Sequence, residues 1–136
     1  MRMKGRMAVS ALPMWMLLMI VGCTGSPSAN SYADIPTNGD VTHGAAIFVS
    51  SVKDAPSCIT CHRVDSITLV GPGLGGFATR AGSRVNGLSA REYAYQSIVS
   101  PARYMASGFS NLMYDQYGKK LEQQELADLL AYLMSL

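Results

Sequence analysis

The sequence predicts an all-α domain of about four to five short helices wrapped around a bound group. Three observations predict it. Helix start and stop signals punctuate three separate segments. No stretch of any length alternates apolar and polar residues as a strand would. Two long loops separate the helical segments, and a compact domain keeps such loops when they wrap a ligand.

In chain order, the first 22 residues read as an export signal. Arg2, Lys4 and Arg6 form a basic head, and residues 8–21 carry no charge. That run is short of the roughly 20 apolar residues needed to span a bilayer. Ile20-Val21-Gly22-Cys23 resembles the cleavage box of bacterial lipoproteins, which implies lipid attachment at Cys23; the alternatives are a plain secretory signal and an uncleaved membrane helix. With 1–22 removed, eight Lys and Arg face nine Asp and Glu, so the formal +2 of the whole chain becomes −1. No dense basic face suggests nucleic acid. Residues 23–38 are rich in Ser, Pro, Asn and Gly and read as a flexible, lipid-anchored tether, with a reach of about 20 Å as a loose coil. The domain is expected over 39–136.

Asp40 is placed to cap a helix that runs to about Ser51. Gly44 and Phe48 share one face of it. A glycine inside a helix costs about 1 kcal/mol relative to alanine, and a close helix crossing is the natural reason to keep it. Residues 64–88 form a loop with the Gly-rich run 71–76. Ser89 and Glu92 then make a capping box, with Leu88 and Tyr93 as a hydrophobic staple, and Pro101 stops that helix near Ser100. A second loop covers 102–120. The last helix is expected from about Glu122 to Ser135. Leu126, Leu129, Leu130 and Leu133 give it one buried stripe, and its start looks weakly capped by Glu122.

The chemistry lies in Cys58-Ile59-Thr60-Cys61-His62. At i, i+3 and i+4 on a helical turn the two thiols and the imidazole point the same way. Each thiol can add to one vinyl group of a haem, and the adjacent His then lies beneath the iron. This string is the c-type haem attachment signal. A structural zinc site wants four ligands, and only distant His43 could be the fourth. A thioredoxin-like pair wants a βαβ context. A plain disulfide leaves His62 and both loops unexplained.

Nearly all of residues 39–136 resembles the class I, mono-haem cytochrome c fold. Asp40, Gly44 and Phe48 resemble its first helix. Gly71-Pro72-x-Leu74-x-Gly76 resembles the loop after the haem motif, and Tyr93, Ser97-Ile98 and Pro101 its middle helix. Gly108-Phe109 and Met113 resemble its distal loop, and residues 121–136 its last helix. The resemblance implies one haem c attached through Cys58 and Cys61, with the iron bound by His62 and Met113. It implies that Pro72 offers its carbonyl to the outer nitrogen of His62, and that Gly44, Phe48 and Tyr132 form the crossing of first and last helices. Tyr114 stands where the family usually has Pro. Met105, in the same loop, is the rival sixth ligand; Met134 reads as core and His43 as a surface residue.

Iron closed by His and Met has no open site for oxygen or peroxide, which leaves one-electron transfer without bond making. The expected protein is an electron carrier and not an enzyme. It would sit on the outer, extracytoplasmic face of a bacterial membrane, as a tethered shuttle or as a subunit of a respiratory or photosynthetic complex. Quinol-oxidising assemblies such as alternative complex III and terminal oxidases are examples. Its partners would be redox proteins, and the bases at 63, 80, 84, 91, 103, 119 and 120 could steer an acidic one. Two other functions compete: a haem sensor or peroxidase-like enzyme with an open distal site, and a haem-free, disulfide-stapled lipoprotein.

Overall fold

The computed structural model describes residues 31–136. The proposed signal 1–22, Cys23 and the tether through residue 30 lie outside the described residues. Among the described residues there are five α-helices: α1 Val41–Val49, α2 Phe77–Ala81, α3 Ala90–Val99, α4 Tyr117–Lys120 and α5 Gln123–Leu133. Two 3-10 turns, Tyr32–Asp34 and Cys58–Thr60, precede α1 and α2. Among the described residues the one β pairing is an isolated bridge between Val52 and Ala55. The fold is all-α, as expected.

Asp40 starts α1. Its carboxylate accepts from the N–H groups of Thr42 and His43 at 2.8 and 3.1 Å, two of the amides a helix start leaves unpaired. The helix ends at Val49, earlier than expected. The cause is local: Val52 and Ala55 close a tight turn through Lys53 and Asp54, both at positive φ.

α1 packs across α5, and glycine sets the distance. A Cβ at Gly44 would lie 2.0 Å from the carbonyl oxygen of Asp128 and 2.9 Å from Cβ of Tyr132. One turn on, the rings of Phe48 and Tyr132 meet at 5.5 Å. The leucine stripe of α5 is buried, with Leu126 and Leu130 at 0 % exposure. The start of α5 is better closed than expected: Glu122 and Glu125 make a reciprocal capping box, with the Glu122 N–H donating to the carboxylate of Glu125 at 2.7 Å.

Asp128 is the one buried charged side chain among the described residues. Its carboxylate accepts from the Asp40 N–H at 2.8 Å, from Gln124 Nε2 at 2.8 Å, and bonds His43 Nδ1 at 2.7 Å. Burial pushes its pKa up, but these bonds outweigh that and hold the carboxyl below its ordinary value. The same contact, chiefly the hydrogen bond to Asp128, raises the pKa of His43.

Three expectations need correction. Both long loops contain a short helix. α2 forms because Gly76, at φ 65°, turns the chain into it. Phe77 then stacks on Tyr93 at 6.3 Å. α4 forms because Tyr117 is buried, and Gly118 lets the chain approach Val99. Helices of five and four residues are too short to show a period in sequence. The third correction concerns residues 31–38, expected as loose tether. They are stitched to the domain: Ile35 is 4 % exposed and lies in the core. Tyr32 meets Tyr95 at 5.3 Å, and Gln124 Nε2 donates to the Asn38 carbonyl.

Two outcomes are expected. Gly44→Ala should lower stability toward the upper end of the about 1–3 kcal/mol typical of overpacking, read by denaturant unfolding, because the atoms it meets are backbone. Since the His43 pKa is raised in the fold, its bond contributes fully below the unfolded value and fades as pH rises through the folded one. The melting-temperature gap between wild type and His43→Gln should therefore be wider near about pH 5.5 than near about pH 8.5.

Candidate functional site

The Cys58–Thr60 turn carries the site. Ser57 enters it in extended conformation, and its hydroxyl bonds that of Thr60 at 2.9 Å. The N–H groups of Cys61 and His62 both return to the Cys58 carbonyl, at 3.1 and 2.9 Å. This winding gathers the two thiols and the imidazole, as the spacing predicted. Both cysteines are half-buried free thiols. Burial pushes the Cys58 thiol up to about 11. That is opposite to the depressed value a reactive redox cysteine needs.

The glycine-rich run folds back along this turn. The Gly71 N–H donates to the Cys61 carbonyl, Leu74 to Arg63 and Gly75 to Asp65, at 2.9, 2.7 and 2.8 Å. Arg80 reaches back from α2 with its guanidinium on the carbonyls of Gly73 and Gly75. The result is a cradle for His62. A Cβ at Gly71 would lie 2.4 Å from Cε1 of that ring, so only glycine fits beneath it. His62 Nδ1 stands 2.9 Å from the Pro72 carbonyl. A carbonyl can only accept, so Nδ1 carries the proton and Nε2 keeps a lone pair for a metal.

Above the turn opens a cavity of about 410 Å³, within the range of cofactor sites. Cys58, Cys61, His62, Pro72, Met105 and Met113 all line it. Its other walls come from nearly every element: Phe48 of α1, Phe77 of α2, Ile98 of α3, Tyr117 of α4 and Leu129 of α5. The two methionines differ in setting. Met113 is half-buried and packed against the core, whereas Met105 is 57 % exposed. His43 is absent from the lining; it sits at the helix crossing, as a surface residue would. Met134 packs against the core. Cys23 lies outside the described residues.

Sequence reasoning passed over Tyr117 and Arg80. The Tyr117 hydroxyl donates to the Pro56 carbonyl at 2.7 Å, fixing the chain just before Cys58. Burial first, then the neighbouring cysteines, pushes its pKa up to about 12. It is one of seven tyrosines, in a segment without period, and no sequence signal marked it. Arg80 looked like a solvated loop base; the run of glycine carbonyls five to seven residues before it was the available clue.

The donor set suits a tetrapyrrole with a reactive periphery. Two thiols on one turn border an apolar cavity, beside an imidazole whose proton is committed elsewhere. No three His, Cys, Asp or Glu side chains among the described residues converge as a cage for a bare metal ion. The fold and site thus define a small helical protein built around covalently attached haem. The family model described as Cytochrome c matches residues 41–136, and the chain belongs to the cytochrome c family. No curated protein matches the chain. The family binds haem c through cysteines, here Cys58 and Cys61, and transfers electrons with it.

Gly71→Ala should fold but displace His62. In a host competent for haem attachment the variant is expected to show at least about a tenfold loss of low-spin holoprotein, read from the optical spectrum, because the added Cβ has only the ring to push against.

Proposed function

We propose that this chain is a one-electron carrier held at the outer face of a bacterial membrane through lipidated Cys23, with His62 and Met113 as the two axial ligands. One observation carries the ligand choice: of the two methionines on the cavity wall, Met113 is the one packed against the core. An anchored sulfur holds a bond that a mobile one loses to entropy. The haem supplies an iron that takes up and releases a single electron. The protein's own residues do the rest. The Pro72 carbonyl orients His62 and makes it a better donor. Thioether ligation at Met113 raises the potential relative to a second nitrogen. The apolar walls keep water from the iron, which favours the less charged, reduced state.

The exchange face is the mouth of the cavity. Val70, Met105 and Leu112 line the cavity and are 56, 57 and 70 % exposed. No base lines it. Of the seven bases between residues 63 and 120, four have partners on this chain. Arg63 pairs with Asp65, and Arg80 grips glycine carbonyls. Arg91 bonds the Pro36 carbonyl, and Arg103 reaches Gln96. Steering of an acidic partner then rests on Arg84, Lys119 and Lys120. The carrier serves a respiratory or photosynthetic chain, as a tethered shuttle or as a subunit of a quinol-oxidising or terminal-oxidase complex. Co-purification with large membrane subunits in mild detergent marks the subunit; isolation alone marks the shuttle.

Met113→Ala is the deciding variant. The oxidised wild type should show the weak red sulfur-to-iron band, and the variant should lose it and bind carbon monoxide when reduced. Met105→Ala should keep the band. A wild type without the band, binding carbon monoxide directly, would instead mark a sensor or peroxidase-like protein.

A further inference from the structure

The segment 31–38 has a defined course over the domain. Ser31, Tyr32 and Ala33 share a groove with Glu92, Tyr95, Gln96, Val99 and Ser100 of α3 and its end. Ser31 caps the Tyr32–Asp34 turn, and the Asp34 carboxylate receives the Ser31 N–H at 3.2 Å. Farther on, Arg91 at the opposite end of α3 donates to the Pro36 carbonyl at 2.6 Å, with its guanidinium 5.5 Å over the Tyr32 ring. Ile35 enters the core between these points. At Gly39 a Cβ would stand 2.2 Å from the Ala127 carbonyl oxygen, so the chain lies directly on α5 there. The strap therefore runs antiparallel to α3. Its first described residues line the same groove as Val99 and Ser100.

We propose that this strap is a spacer lock. It removes residues 31–38 from the tether and confines the carrier to partners that expose their redox centre close to the membrane surface. The inference rests on the reading of Cys23 as the lipid anchor. On that reading at most residues 23–30, eight residues, remain to span the distance from anchor to strap. Fully extended, they reach about 28 Å. With 31–38 released the limit would double to about 56 Å. A domain of this size has a radius of gyration of about 13 Å, so the locked tether is about one domain diameter long. Such a carrier diffuses laterally in its membrane but cannot cross to a distant one. The fitting partner is a membrane-embedded protein whose donor or acceptor group lies within that layer. An apolar face opposite Val70, Met105 and Leu112 would suit its contact surface.

The test uses the full, lipidated, haem-loaded chain on liposomes with a dye on the lipid headgroups, where haem quenches the dye by energy transfer. Co-flotation with the liposomes checks the anchor separately. A wild type that fails to float would overturn the anchor reading and with it the spacer lock. Given flotation, the lock predicts at least about tenfold slowed amide exchange at Ile35. It also predicts that quenching falls in the Tyr32→Ala, Arg91→Ala double variant, whose haem spectrum stays native because neither residue lines the cavity. Random-coil exchange at Ile35, or quenching unchanged by the double variant, would overturn the lock while leaving the anchor standing.

Discussion

A domain of about a hundred residues that keeps 410 Å³ of apolar space open has to build its core around that space. That constraint governs the rest. The closest protein-only packing is the crossing of α1 and α5. Gly44 brings the backbones together, and Phe48 and Leu129 serve two masters, packing the crossing on one side and walling the cavity on the other. Every α-helix contributes at least one residue to the cavity wall. Filling the cavity with a rigid, covalently held group would convert its walls from exposed lining into interior.

Asp128 shows how the crossing tolerates a buried charge. The carboxylate is satisfied by one backbone amide, one amide side chain and one imidazole, each from a different place on the α1–α5 contact. A buried ion is weak evidence for stability, since its desolvation opposes its attractions. Here it specifies register: only one alignment of the two helices brings Asp40, His43 and Asp128 together. The exposed side of the pair, His43, makes that alignment sensitive to pH, and the buried side keeps it specific.

The site was legible in sequence where a residue's role follows from covalent spacing. Cys58, Cys61 and His62 are neighbours in any compact turn, and Gly44 announced a close approach before any partner was visible. Helices long enough to show a period were legible too, and the stripe on α5 is buried as read. Legibility failed where the cause lies elsewhere in the chain. α2 and α4 exist because Tyr93 and Val99 receive them. Residues 31–38 looked like linker by composition, yet Ile35 and Tyr32 find a groove that no local rule reveals. Arg80 was read as surface because its partners are backbone carbonyls, which composition cannot show.

The crossing joins the two ends of the domain. Gly44 and Asp128 lie on its first and last helices, so the contact closes a loop of nearly the whole fold. Closing so long a loop carries an entropic cost, and a fold that depends on it forms more slowly than one of local contacts. Without the eleven residues of α5, α1 has nothing to pack on and the cavity lacks a wall. Both the crossing and the complete pocket therefore wait on the last helix. Capture of the haem thus doubles as a check that the far end of the domain is in place.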